Sequence, residues 1–116
     1  MQIGELAERT ELSLRTIRHY DDVGLLPASR TEGGFRVYTE QDVERLLHIR
    51  RMKPLGFSLE EMAELLELLE LLGTEEPAGE RLAAYLERAR PERAKLARKL
   101  AQADEFIAML EQRLGA

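Results

Sequence analysis

The sequence predicts a mainly α-helical fold, in which a winged helix-turn-helix domain is followed by a C-terminal dimerisation helix that forms a coiled coil. Three observations predict it: short amphipathic segments that begin at N-cap residues, a Gly-Gly turn between two extended pieces, and a long heptad series. We expect the winged helix-turn-helix domain over residues 1–72, a linker over 73–79 and the coiled-coil helix over 80–114.

The first two helices are short and amphipathic. We expect them over residues 4–9 and 14–21, with Ser13 as the N-cap of the second helix and Gly24 as its left-handed C-terminal cap. The apolar side chains that hold the two helices together are Leu6, Ala7, Leu12 and Ile17. This packing leaves the basic residues of the second helix facing outward.

Two strand-like pieces follow, around residues 26–30 and 35–38, and Gly33-Gly34 lies between them. A Gly-Gly pair flanked by extended residues is typical of a hairpin. The hairpin is the predicted wing.

Two further helices close the first domain. The third is expected over 40–53, with a capping box formed by Thr39 and Asp42, and the turn 54–57 follows it. The fourth is expected over 59–72, where Ser58 and Glu61 form a second capping box. Because the apolar arc of the fourth helix is wider than one core stripe requires, we expect it to pack on two sides.

The last third of the chain carries apolar residues at alternating spacings of four and three, a period that is typical of a coiled-coil seam. The seam consists of Leu82, Leu86, Ala89, Arg93, Leu96, Leu100, Ala103, Ile107, Leu110 and Leu114, and all but Arg93 are the expected dimerisation residues. Arg93 places a charge in the seam, and Pro91 is expected to kink the helix or to start a new segment.

Charge is distributed unevenly along the chain. The net charge is −5, yet residues 1–58 hold equal numbers of acidic and basic residues, so the excess acidity lies in the second half. A local basic face matters more for DNA binding than the charge of the whole chain. The acidic balance therefore does not exclude a nucleic-acid partner.

Composition argues against several other classes of protein. The chain has no cysteine and only two histidines, neither in a ligand-spaced motif, so we expect no metal and no cofactor. It contains no apolar run of the length that a membrane span needs, and its first residues lack the pattern of a signal peptide. We expect a cytoplasmic protein associated with the nucleoid.

The second helix carries the predicted chemistry. Arg15, Arg18 and His19 face away from the apolar side and are free to enter a major groove, where arginine can donate two hydrogen bonds to guanine. On the wing, Arg30 and Arg36 are placed to neutralise phosphates, and Tyr38 to donate a hydroxyl bond to DNA.

Several motifs resemble the MerR family of bacterial transcription regulators over residues 1 to about 70. They are Ile3-Gly4-Glu5-Leu6-Ala7, Thr16-Ile17-Arg18-His19-Tyr20-Asp21, Gly24-Leu25-Leu26-Pro27, Gly34-Phe35-Arg36-Val37-Tyr38 and Leu55-Gly56-Phe57-Ser58-Leu59-Glu60-Glu61. The resemblance implies a homodimer held by an antiparallel coiled coil. It also implies binding to a pseudo-palindromic promoter with an overlong spacer, which is bent and untwisted so that RNA polymerase reads both promoter elements.

The resemblance also assigns residues to the double-stranded DNA. Arg15 and Arg18 are expected in the groove, Tyr20 and Arg36 on the backbone, and Arg51 and Lys53 at phosphates beside a second wing. The complete set of expected DNA contacts is Ser13, Arg15, Thr16, Arg18, His19, Tyr20, Arg30, Gly34, Phe35, Arg36, Tyr38, Arg51 and Lys53.

Two residues depart from the family pattern. Glu11 stands at the turn where these proteins often have glycine, and His19 replaces a common aromatic residue. Family members that sense metals or redox state use cysteines, and this chain has none, so the effector, if there is one, stays open.

Two alternatives remain beside a transcription regulator: a DNA architectural protein without an inducer, and a protein-interaction module that acts through the acidic coiled coil. An enzyme is not expected, because the sequence shows no paired-carboxylate site, nucleophile–base pair or phosphate loop.

Overall fold

The structure, a computed structural model, describes residues 1–26, 29–30, 34, 36–74 and 76–115. The chain divides into two compact units, Met1–Glu70 and Leu71–Ala116. The elements are α1 (Ile3–Thr10), α2 (Leu14–Asp22), β1 (Ser29–Arg30), β2 (Arg36–Val37), α3 (Glu40–Met52), a 3₁₀ turn (Lys53–Leu55), α4 (Leu59–Leu71) and α5 (Glu76–Gly115). This order confirms the predicted mainly α-helical fold and its long C-terminal helix.

The helix-turn-helix is built from α1 and α2, whose ends lie within one residue of the predicted ones. Ser13 caps α2 as predicted, because its hydroxyl oxygen accepts a hydrogen bond from the backbone N–H of Thr16 at 3.1 Å. Gly24 follows the helix with a φ of +85°, the left-handed conformation expected of it. Local capping therefore fixes where the second helix begins and ends.

The core of the first unit lies where α1 packs against both α2 and α3. Leu6, Ile17 and Leu46 are fully buried, as predicted from the apolar pattern. Ile49 and Leu26 are buried as deeply, although the sequence analysis did not place them inside.

The wing is a two-stranded antiparallel ladder in which Ser29 pairs with Val37 and Arg30 with Arg36. The strands are shorter than predicted, since Leu26 and Tyr38 lie outside the ladder and are buried in the core. Gly34 has a φ of +81°, as a tight turn requires, and Gly33 lies outside the described residues. The end of the ladder also holds the start of the chain, because the N–H of Tyr38 donates to the carbonyl oxygen of Met1 at 2.7 Å.

Both predicted capping boxes are present. The Thr39 hydroxyl accepts from the N–H of Asp42, and the Asp42 carboxylate accepts from the N–H of Thr39. Ser58 and Glu61 exchange the same pair of bonds at the start of α4. The third helix ends at Met52, one residue earlier than predicted, and the turn after it is a 3₁₀ helix containing Pro54.

The fourth helix buries Met62, Leu65, Leu66 and Leu68. Leu59 and Leu69 stay 39% exposed. The apolar arc of α4 is thus only partly covered within the described residues, and packing of this helix on two sides stays a prediction.

The second unit is dominated by α5, which is 40 residues long. It begins at Glu76, so the predicted linker 73–79 is shorter than expected. The helix continues through Pro91, which does not start a new segment. None of the helices in the described part of the chain combines the length and apolar character that crossing a membrane requires.

Candidate nucleic-acid interface

The second helix presents its basic residues as predicted. Ile17 is fully buried against the core, while Arg15, Arg18 and His19 are exposed. The hydroxyl of Ser13, which also caps the helix, donates to the hydroxyl of Thr16 at 2.8 Å. The cap thus holds the N-terminal turn of α2 in place, while the arginines project outward.

Arg18 of α2 and Arg36 of the wing line the same concave surface, a cavity of about 560 Å³. Its other lining residues are Gln2, Ile3, Asp21, Asp22 and Tyr38. The residue predicted to read bases and a residue predicted to bind phosphate are 18 positions apart in the sequence, and the fold of the first unit brings them together.

A polar network joins α2 to the wing at this surface. The hydroxyl of Tyr38 donates to Asp21 Oδ2 at 2.9 Å, and the guanidinium of Arg36 forms an ion pair with the same carboxylate. The Asp21 side chain is only 7% exposed, whereas that of Arg36 is 36% exposed. Arg36 therefore holds Asp21 while part of its side chain stays exposed, and its guanidinium has more N–H donors than this one ion pair uses.

The network corrects the role predicted for Tyr38. Its hydroxyl was expected to donate to DNA, but Tyr38 is 3% exposed and donates to Asp21 instead. Its role in this structure is to fix the wing against the second helix.

Asp21 was not among the predicted site residues, although a signal for it exists. It lies in the last turn of α2, where the helix dipole disfavours a negative charge. A nearby cation stabilises a carboxylate in that position. In the structure this cation is Arg36 of β2.

Tyr20 also differs from its prediction. It was expected on the DNA backbone, yet it is 2% exposed and belongs to the core. Its ring lies 5.7 Å from that of His19 and 5.8 Å from the Lys53 ammonium. Tyr20 therefore brings Lys53, which is exposed after α3, close to the second helix. Arg51, at the end of α3, is exposed as well.

The turn between α1 and α2 is held by a second residue that the sequence analysis missed. Arg50 donates from Nη1 to the carbonyl oxygen of Thr10 at 2.6 Å, and the same nitrogen lies 3.8 Å from the Glu11 carboxylate. Glu11 has a φ of +58°, a left-handed conformation that suits glycine better. Arg50 thus satisfies a carbonyl at the end of α1 and partly offsets the negative charge at the turn.

Three predicted residues of the wing are described only in part or not at all. Phe35 lies outside the described residues, and for Arg30 the structure gives only the backbone pairing with Arg36. Gly34 is exposed at the turn. Within the part of the chain that the structure describes, no cluster of three histidine, aspartate or glutamate side chains is placed to hold a metal ion.

A capped basic helix beside a small wing defines the class of winged helix-turn-helix proteins. The chain matches the family model for the MerR HTH family regulatory protein over residues 1–69, and the model for the MerR DNA-binding region over residues 43–114. The chain belongs to the MerR family. This confirms the resemblance carried by the sequence motifs, and membership in a family of regulators confirms the prediction that the chain is not an enzyme.

Individual relatives agree with the family assignment. The mercuric resistance operon regulatory protein of Bacillus cereus is 46% identical over 70 residues, which is 60% of this chain and 53% of that protein. The chain spans about half or less of the length of the curated relatives that it matches first.

Solved structures match over nearly the whole chain. PbrR691 from Ralstonia metallidurans CH34, solved in complex with lead(II), is 34% identical with a TM-score of 0.66, covering 93% of this chain and 84% of that one. HiNmlR, described as a MerR family regulator lacking the sensor domain and bound to promoter DNA, is 27% identical with a TM-score of 0.69, covering 99% and 94%.

Proposed function

We propose that this protein is a sequence-specific DNA-binding transcription regulator, which binds a pseudo-palindromic promoter as a homodimer and distorts its spacer to control transcription. The observation that carries the proposal is the concave surface on which Arg18 of α2 and Arg36 of the wing meet. A basic helix suits the major groove, and a basic wing on the same surface suits the phosphate backbone beside that groove.

In this proposal α2 enters the major groove. Arg15 and Arg18 are exposed there, and one bidentate arginine–guanine contact discriminates between bases by about 1–3 kcal/mol. The phosphate contacts come from Arg30, Arg36, Arg51 and Lys53. Tyr20 and Tyr38 act behind them, because both are buried and hold the cationic groups in position.

The dimer is proposed to form through α5, whose seam leaves Leu86, Leu100 and Ile107 more than half exposed. Aliphatic stripes of this size usually mark an interface. Residues 1–72 then serve DNA binding and residues 80–114 serve dimerisation. Distortion of the spacer would allow RNA polymerase, the functional partner, to contact both promoter elements, and the protein would act in the cytoplasm at the nucleoid.

The comparison with HiNmlR supports promoter DNA as the ligand, since that protein is described as bound to promoter DNA and aligns with this chain over nearly its full length. The net charge of −5 does not oppose the proposal, because the excess of acidic residues lies in the second half of the chain. The cations of the first half form the local face that DNA binding needs.

Selection of bound duplexes from a random pool tests the proposal. We expect the selected sequences to share a two-fold pattern, as a symmetric dimer requires. Bound DNA without any shared sequence would favour the architectural alternative, and a failure to retain DNA at low salt would favour the protein-interaction alternative.

Salt dependence provides an independent measurement. If the four proposed phosphate contacts form in both copies, log K should fall against log salt with a slope of about −7, at about −0.9 per phosphate. A flat response to salt would contradict the basic-face model even if the protein bound DNA.

A further inference from the structure

The second helix begins with an exposed aliphatic residue among polar ones. Leu14, the first residue of α2, is 41% exposed, and its neighbours in the sequence, Ser13 and Arg15, are polar and exposed. Single exposed leucines are common on protein surfaces and by themselves indicate nothing. Leu14 matters because of where it lies in the candidate interface.

The start of α2 is built from residues other than Leu14. The hydroxyl of Ser13 caps the helix by accepting from the N–H of Thr16. An apolar residue before the cap often packs against one at the fourth helical position, and here these two positions hold Leu12 and Ile17. Ile17 is fully buried. Removal of the Leu14 side chain should therefore leave the helix folded.

Leu14 lies on the same face of α2 as Arg18, one helical turn before it. Residues four apart in a helix are neighbours on its surface, with Cβ atoms about 5–6 Å apart. Arg18 lines the concave surface that α2 shares with the wing. In helix-turn-helix proteins the N-terminal residues of the recognition helix contact the base edges. Leu14 is therefore continuous with the proposed DNA surface and lies at the end of α2 where base contacts are expected.

We infer that Leu14 contacts the C5-methyl group of a thymine in the major groove and makes α2 selective for a thymine in each half-site. The inference rests on the proposed function and names a residue that determines specificity on the same surface. Thymine presents a methyl group at its major-groove edge, and aliphatic side chains contact it. The other three bases present donors and acceptors there without a methyl group, and leucine can bond to none of them.

The helix spacing also places this thymine relative to the base that Arg18 reads. The Cβ atoms of the two residues are about 5–6 Å apart, and base pairs follow each other about every 3.4 Å along the duplex. The two side chains therefore address base pairs about two steps apart or less. We expect the thymine within that distance of the position at which Arg18→Ala relaxes base preference.

Removal of the methyl group from the DNA tests the contact without altering the protein. Deoxyuridine pairs as thymine does but lacks the C5-methyl group. Each thymine of the most enriched duplex from the random pool is replaced by deoxyuridine, one position at a time and in both half-sites, and the full-length chain is titrated in gel shifts. Burial of one methyl group changes affinity about fourfold, so one position should lose about fourfold per half-site and about fifteenfold in both.

Leu14→Ala tests the same contact from the side of the protein. This variant should bind the parent duplex more weakly, by about as much as removal of both methyl groups does, and should no longer respond to deoxyuridine. Val23→Ala is the matched control, because Val23 is an aliphatic residue of similar exposure, 43%, at the other end of α2. It should bind as the parent does and keep the full response. Urea denaturation should show that both variants are folded, as expected at exposed positions.

The remaining outcomes contradict the inference in different ways. If no thymine near the Arg18-dependent position responds to deoxyuridine, the methyl contact is wrong while sequence-specific binding stands. An equal response in the parent and in Leu14→Ala would show that the methyl group acts through the shape of the DNA, which also overturns the contact. A selected pool without any shared sequence would overturn the proposed function and the role of Leu14 together.

Discussion

Replacing Arg36 by alanine should cost both folding stability and DNA affinity, because the structure gives this residue two partners. In the folded chain its guanidinium pairs with Asp21, whose side chain is 7% exposed. A hydrogen bond to a charged group contributes about 1.5–3 kcal/mol when both groups are well buried. Arg36 is itself 36% exposed, and Asp21 keeps the hydrogen bond from Tyr38, so we expect Arg36→Ala to lower the free energy of unfolding by about 1–2 kcal/mol.

The effect on DNA should be separable from the effect on folding. Loss of one phosphate contact per copy should weaken binding to operator and scrambled duplex alike, and should make the salt slope shallower by roughly one per site. Urea denaturation gives the stability term, and gel-shift titration at several salt concentrations gives the slope.

Arg51→Ala is the matched control. Arg51 is exposed and forms no ion pair with the described residues, so this variant should change the salt slope in the same way while altering the free energy of unfolding by less than about 0.5 kcal/mol. A double-mutant cycle with Asp21→Asn then isolates the coupling between Arg36 and Asp21. If Arg36→Ala proves as stable as the parent, the network between α2 and the wing does not stabilise the fold, and the reasoning is refuted.

Three other substitutions test separate parts of the molecule. Arg18→Ala should weaken binding to the selected operator by about 1–3 kcal/mol and relax base preference at one position per half-site, and unchanged operator affinity would show that α2 is not the recognition helix. Glu11→Gly should raise the free energy of unfolding by about 0.5–1 kcal/mol because it relieves the left-handed backbone. In contrast, Glu11→Gln should leave that strain in place, so equal stability of the two variants would exclude strain as the cause. The hydrogen bond from Arg9 holds the pKa of the exposed Glu40 carboxylate below its usual value of about 4.3, so its small stabilising contribution is complete above that pH and is lost as the pH falls through the lowered pKa. The stability advantage of the parent over Glu40→Gln should therefore disappear in acid, and an advantage that persists there would show that the charge of Glu40 is not its source.

The two buried tyrosines change how the interface is understood. From the sequence, Tyr20 and Tyr38 appear as polar side chains beside arginines, which is the usual composition of a phosphate-binding surface. In the structure both rings are buried: the Tyr20 ring lies beneath the exposed Lys53 ammonium, and the Tyr38 hydroxyl donates to Asp21. Substitution of Tyr20 would therefore disturb the placement of Lys53, and substitution of Tyr38 that of Arg36 through Asp21, whereas substitution of Arg18 removes that residue's own contact.

Local features of the fold were readable from the sequence because the interactions that create them are short-ranged. Ser13, Thr39 and Ser58 each begin a helix through a hydrogen bond to a residue three positions later, so the residue types alone predicted where α2, α3 and α4 start. The heptad spacing predicted the long C-terminal helix in the same way. The family motifs also placed the arginines of the second helix at the DNA groove. The structure leaves these arginines exposed, as expected.

Pro91 shows the limit of local rules. A proline inside a helix removes one backbone hydrogen bond, which predicts a break when only its neighbours are considered. The helix nevertheless runs for 40 residues through it. The proline destabilises one turn of the helix only. The remaining turns keep their own backbone hydrogen bonds, and together these stabilise the helix by more than the proline destabilises it.

The contacts that shape the candidate interface were decided only by tertiary packing. The Tyr38 hydroxyl and Asp21 are 17 residues apart, and Arg50 reaches the carbonyl oxygen of Thr10 across 40 residues. No pattern of spacing encodes such pairs, since each depends on the angle at which one element packs against another. Burial has the same origin: Ile49 and Tyr20 are enclosed because other parts of the chain pack over them, and a side chain's own polarity does not determine what will lie over it. The sequence by itself determined the helices and the basic character of α2, whereas the packing of those helices decided which polar groups face solvent and which hold the site together.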